Sequence, residues 1–299
     1  MERRPLSRRA LVLAGVAGAA IARVPRGFAG EGPAARLAVL EREHGGRLGV
    51  AILDSGNGRR VNHRGEQRFA LCSTAKLLLV GLALAQRDRG QTRLDERVVF
   101  ESGDLVAHSP ATQGHAGAPG MRLDALCEAA MTVSDNTAAN LLLARFGGPA
   151  AVTAYARSLG DAQTRLDRIE PMLNENLPGD PRDTTTPAAM LAGMRALLLG
   201  DALLAQSRMQ LLGWMSAGTT GARRLRAGVP SDWAVAGKTG TGLHGATNEV
   251  ALLRPPGGRA PLLAAVYYDA PDAMAGAACE AVIAGVGRIV AGMVVSAAA

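Results

Sequence analysis

Lysine is almost missing from this chain of 299 residues: of 33 basic residues, only Lys76 and Lys238 are lysines. Arginine does not deprotonate in proteins and presents a planar fork, whereas a lysine is a compact charge whose amine can lose its proton. Two lysines kept among arginines therefore mark places where guanidinium will not serve. Aromatic residues make up only 3%, which excludes the basic, aromatic-interleaved stretches that stack on nucleic acid. The three cysteines, Cys72, Cys127 and Cys279, are odd in number and show no metal-ligand spacing, so neither a disulfide framework nor a metal site is expected. No cofactor motif stands out. A composition 48% hydrophobic and 20% charged excludes disordered and fibrous classes and suffices for one large core or two interlocked lobes.

The excess of positive charge sits mostly at the front. Residues 1–29 hold six arginines against Glu2, a net +5, and +7 less that +5 leaves +2 for the remainder, so nothing there suggests nucleic acid. Arg3, Arg4, Arg8 and Arg9 precede the apolar stretch Leu11 to Ala22. That stretch is too short to span a bilayer and reads as the core of a secretory leader, with Phe28-Ala29-Gly30 at its cleavage site and Ala20-Ile21-Ala22 as a competitor. The pair Arg8-Arg9 points to the twin-arginine route. The expectation is a leader over 1–29 and an exported, monomeric mature protein over 30–299 with no membrane segment.

Periodicity then gives a helix over Ala34 to His44, an alternating strand over Arg47 to Asp54 with Leu48, Val50 and Ile52 on one face, and a Ser55-Gly56-Asn57-Gly58 turn into a second strand. From about Phe69 to Gln206 the pattern is helical, with helices over Thr74 to Gln86, Leu123 to Ala130, Thr137 to Phe146, Pro149 to Leu159 and Pro187 to Leu198. After Trp214 strands return over Asp232 to Thr241, Asn248 to Arg254 and Pro261 to Tyr268. A last helix runs from about Pro271 to Val294. Strands at both ends must meet in one sheet, because isolated hairpins could not bury their apolar faces. The fold class is α+β, a sheet lobe from about 30–66 and 214–299 with an all-α lobe, about 67–213, inserted in it.

Ser73 and Lys76 stand three apart at the head of the apolar helix, so their side chains share a face. A serine hydroxyl needs an adjacent base to act as a nucleophile, and a desolvated lysine amine can be one. Ser134-Asp135-Asn136 and Lys238-Thr239-Gly240 follow in that order, and Glu170-Pro171-Met172-Leu173-Asn174 lies between them. The last of these sits in Arg165 to Asp183, a stretch rich in proline and poor in periodicity that reads as a long Ω-type loop. The ordered motifs S-x-x-K, S-D-N and K-T-G are the signature of serine β-lactamases and penicillin-binding proteins. With the Glu170 to Asn174 motif, the chain closely resembles a class A β-lactamase over almost its whole length after the leader.

That resemblance implies a five-stranded antiparallel sheet beside an all-α lobe, with the active site in the cleft between them, and a β-lactam as the small-molecule substrate. It implies Ser73 as nucleophile, Lys76 and Glu170 as general bases, and Ser134 as proton relay to the lactam nitrogen. Asn136 would bind the substrate amide, and Asn174 would hold the hydrolytic water with Glu170 after a cis Glu170–Pro171 bond. Lys238, Thr239, Gly240 and Thr241 would line the substrate strand, with the N–H groups of Ser73 and Thr241 as the oxyanion hole. Arg168 and Asp183 would pin the loop ends. Two departures stand out. His108 occupies the place of an aromatic residue beside the cleft, and Thr247 that of a carboxylate-binding arginine, with Arg224 at the alternative arginine position of other relatives. Gly242 and Val80 stand where relatives carry the disulfide partners of Cys72 and Cys127, which implies no disulfide. A penicillin-binding D,D-peptidase shares the three short motifs and acyl-serine chemistry, and a non-hydrolysing β-lactam sensor is acylated and stays so. The Glu170 to Asn174 loop distinguishes hydrolysis from both.

Overall fold

The computed structural model describes residues 32–271 and 274–295; the expected leader lies outside them. Helix α1 (Pro33–His44) leads into strands β1 (Arg47–Asp54) and β2 (Arg60–His63). The two-residue strand β3 (Phe69–Ala70) and a 3-10 turn over Cys72–Thr74 precede α2 (Ala75–Asp88). Strands β4 (Arg97–Val98) and β5 (Met121–Arg122) pair with each other, followed by α3 (Leu123–Thr132), α4 (Asn136–Phe146) and α5 (Gly148–Ser158). Strand β6 (Thr184–Thr185) pairs with β3 and leads to α6 (Pro187–Leu198), α7 (Ala205–Ser216) and the single turn α8 (Leu225–Gly228). Strands β7 (Ala234–Thr241), β8 (Ala246–Arg254) and β9 (Leu262–Asp269) and helix α9 (Gly276–Val295) complete the chain.

The main sheet has the order β2-β1-β9-β8-β7 and is antiparallel throughout. β1 pairs with β9 over eight residues, from Arg47 opposite Asp269 to Asp54 opposite Leu262. Two cores use the two faces of this sheet. Leu48, Val50 and Ile52 pack with Val282, Ile283, Val286 and Ile289 of α9, while Ala51 and Leu53 join the large core that contains α2. Alternation was the expectation for β1, but every residue from Leu48 to Leu53 is buried. Small or apolar residues occupy both faces because both are covered. Helix α9 is long and apolar enough to cross a membrane, yet most of its apolar window is buried inside the protein.

Local chemistry sets the helix ends near the site. Asp135 caps α4, its carboxylate accepting from Ala138 N, and Gly147 ends the helix at φ 96°, a left-handed conformation glycine adopts without strain. Thr186 caps α6 from Ala189 N, with Pro187 as its first residue. Helix α7 is a departure from expectation, since the helical pattern of the sequence fades at Gln206. Its burial is sparse, Ser207, Leu211, Trp214 and Met215 alone facing inward, and it includes Gly213, a weak helix former. Docking rather than periodicity holds it helical.

Candidate active site

The 3-10 turn over Cys72–Thr74 places Ser73 at the mouth of buried helix α2, with Lys76 one turn further in. Lys76 Nζ lies 3.0 Å from Ser73 Oγ, 2.8 Å from Ser134 O, 3.3 Å from Ser134 Oγ and 2.6 Å from Asn136 Oδ1. It also pairs with Glu170 Oε1 at 2.9 Å, both side chains being almost wholly buried. Burial pulls the Lys76 ammonium below the usual lysine range, opposed by the charge of Glu170. Ser73 Oγ reaches Glu170 Oε1 as well, at 3.3 Å. Two basic groups thus stand within reach of one hydroxyl.

Glu170 comes from the long loop, which is tethered at several points. Asn140 of α4 donates to Glu170 O and accepts from Glu170 N, both at 2.9 Å. Asn174 Nδ2 donates to Glu170 Oε2 and to Pro171 O, and the Glu170–Pro171 bond is cis. Asp183 accepts from Asp167 N, Arg168 N and Arg168 Nε, and Arg168 also pairs with Glu175. Asp183 is 1% exposed, so this is no ordinary surface ion pair of the kind worth under ~1 kcal/mol.

Across the cleft, β7 is an edge strand. Gly240 lets it approach the nucleophile turn: a Cβ there would sit 3.1 Å from Leu71 O and 3.2 Å from Cys72 Cβ. Gly242 N donates to Ala246 O, and the alternation of an antiparallel ladder then turns the Thr241 N–H outward, toward the open edge. Lys238 Nζ donates to Ser134 Oγ and to Thr239 O, each at 2.9 Å. Burial, and then the charge of Lys76, pulls it well below the usual lysine range. Ser134 Oγ therefore links the only two lysines of the sequence.

Arg224 is buried beside this strand. Its Nη1 donates to Gly240 O (3.0 Å) and Asn248 O (2.7 Å), its Nη2 to Thr241 Oγ1 (2.8 Å), and Glu280 lies 3.5 Å from its Nε. Thr247 is buried nearby and carries no charge. A cleft of about 290 Å³ is lined by Ser73, Ser134, Asn136, Asn174, Thr239, Thr241, Arg224, His108 and Thr220. The cleft thus gathers Ser73, Ser134, Asn136, Asn174, Thr239, Thr241, Arg224 and His108, with Lys76, Glu170 and Lys238 bonded to its serines from behind. A larger cavity of about 570 Å³, against the Asn176–Pro181 segment, contains none of these groups. Asn140, Thr220 and Glu280 carry no signal in the sequence, because each is a single polar residue with no motif around it. Among the described residues no group of His, Cys, Asp and Glu is arranged to hold a metal ion. Cys72, Cys127 and Cys279 are buried free thiols.

The fold and the Ser–Lys–Ser–Glu constellation define a serine hydrolase of acyl-transfer type, and sequence and structural comparisons specify it. The model of the β-lactamase enzyme family matches residues 33–294. The chain is 46% identical over 237 residues to β-lactamase CTX-M-8 of Citrobacter amalonaticus, covering 79% of this chain and 81% of that one. It is also 46% identical over 253 residues to β-lactamase L2 of Stenotrophomonas maltophilia, covering 85% and 83%. Among solved structures, an ancestral class A β-lactamase superposes with a TM-score of 0.85 at 56% identity, over 87% of this chain and 99% of that one. The chain belongs to the β-lactamase family, in its class A. It hydrolyses the β-lactam amide bond, the activity that confers resistance to these antibiotics.

Proposed function

We propose that Ser73 Oγ attacks the lactam carbonyl while its proton passes to Lys76 or Glu170, the two bases within 3.3 Å of it. The new Oγ–C bond forms as the carbonyl oxygen takes the negative charge, held by the N–H groups of Ser73 and Thr241. Collapse breaks the C–N bond, and Ser134 delivers a proton to the nitrogen, replenished from the lysines that flank its hydroxyl. Glu170 and Asn174 then hold a water; Glu170 takes its proton, the oxygen attacks the ester, and Ser73 leaves with a proton regained. Asn136 binds the substrate amide, Arg224 with Lys238 and Thr239 receives its carboxylate, and His108 forms part of the rim. Penicillins and cephalosporins are the substrates. The protein acts as a monomer after export and leader removal, with no cofactor, nucleic acid or membrane partner.

The observation that supports this most is the placement of Glu170 between Ser73, Lys76 and Asn174, which suits deacylation as well as acylation and so favours hydrolysis over the sensor and peptidase readings. Glu170→Gln keeps size and hydrogen bonding but removes the base. Deacylation should slow by about a hundredfold or more, a general-base factor. Mixed with a penicillin, the variant should accumulate protein plus intact drug by mass spectrometry, on the peptide containing Ser73. Full turnover, or an adduct elsewhere, would overturn the assignment.

A further inference from the structure

Glu249 takes no part in the chemistry described above, yet it is a carboxylate 1% exposed at the centre of β8. It lies opposite Thr239 in the β7–β8 register, beneath the strand that lines the cleft. Its Oε2 accepts from Leu225 N at 2.7 Å, the residue next to Arg224. Its Oε1 is admitted by two glycines: a Cβ on Gly221 or on Gly237 would come within 2.6 Å of it. Three cations surround it, Arg224 and Arg226 from the segment it binds and Lys238 from β7. On the other side of Arg224, Glu280 of α9 lies 3.5 Å from its Nε.

A carboxylate buried this way costs desolvation that an apolar side chain would not. Its geometry reports what it does there. The bond to Leu225 N draws the segment from Thr220 to Arg226 onto the sheet, and that segment carries Arg224 to the carbonyls of Gly240 and Asn248 and to Thr241 Oγ1. It also carries Thr220, whose hydroxyl bonds Thr239 Oγ1 at 2.6 Å in the cleft wall. We infer that Glu249 is a positioning residue for Arg224, setting the guanidinium of the subsite that receives the substrate carboxylate. This rests on the assignment of Arg224 to that subsite.

Burial pushes Glu249 up to about 7, against the Leu225 N–H and the charges of Arg224, Arg226 and Lys238. The anchor is therefore fully charged only above neutrality, and Gln imitates its protonated form. The test compares Glu249→Gln with the parent on one penicillin. The variant should raise KM about tenfold, the scale of one charge-assisted hydrogen bond, with kcat within about twofold. The parent's KM should rise as pH falls through about 7, while the variant's stays flat near the parent's acid value. In an Arg224→Ala background, Glu249→Gln should change KM no further. Parent-like KM in the variant, a fall confined to kcat, or a full additional effect without Arg224 would each overturn the inference. An Arg224→Ala protein with unchanged KM would show instead that the subsite assignment itself is wrong. If Glu249→Gln does not fold, a flat KM–pH profile in the parent overturns the inference on its own.

Discussion

Five acceptors lie within 3.3 Å of Lys76 Nζ, and an ammonium has three protons. Such a centre suits a group that passes protons on, and a planar guanidinium could not satisfy the same set. The scarcity of lysine singles this residue out in the sequence alone. Ser73, Ser134, Lys238 and Glu170 were legible for a related reason, since each sits in a short motif whose members are neighbours in the chain. Asn140, Thr220 and Glu249 were not, because they meet the site only through tertiary contacts. Glu249 also has a consequence for stability. Its folded value, about 7, lies above the ordinary 4.5, so between these pH values the folded state binds the proton more tightly than the unfolded state does. Its contribution is present in full below about 4.5 and is lost as pH rises through about 7, a difference on the order of 3 kcal/mol at 1.36 kcal/mol per unit. Chemical denaturation from pH 5 to pH 8 should show this decline in the parent and a smaller one in Glu249→Gln.

Elements divide by how strongly their own residues specify them. Helix α6 was legible to the residue because Thr186, Pro187 and a dense apolar stripe agree. Helix α7 was not, its apolar stripe being thin. The long loop from Arg165 to Asp183 has no ladder of its own and is held by side chains, Asp183 foremost among them. Removing one partner of a buried ion pair costs about 3–5 kcal/mol. Asp183→Ala should therefore lower the melting temperature by ~6 °C or more, at roughly 2–4 °C per kcal/mol for a chain of this size. Because the same loop presents Glu170, the folded fraction should also accumulate acyl-enzyme on mixing with a penicillin. A melting temperature within about 2 °C of the parent, with normal turnover, would mean that the other tethers suffice.

At the scale of the whole molecule, the two cores on opposite faces of one sheet replace any covalent staple. Cys72 lies against Gly242, where a Cβ would come within 2.7 Å of its sulfur, and burial pushes the thiols of Cys72 and Cys127 above the usual range. A thiol reagent should find none of the three cysteines quickly in the native protein and all three after denaturation, and a reductant should leave the melting temperature unchanged. A shift on reduction, or fewer than three thiols in the denatured chain, would refute this. The union of the chain's two ends was legible in outline, since strands flank a helical middle; the pairing of β1 with β9 was not, because no local pattern names a strand's partner. That pairing also orders events during synthesis. β1 leaves the ribosome early with two apolar faces and only the short β2 beside it, and its long neighbour is not made until Leu262 to Asp269 emerge. For most of translation the growing polypeptide carries β1 without its long partner, so the five-stranded sheet cannot close until the strand that follows Pro261 has been made.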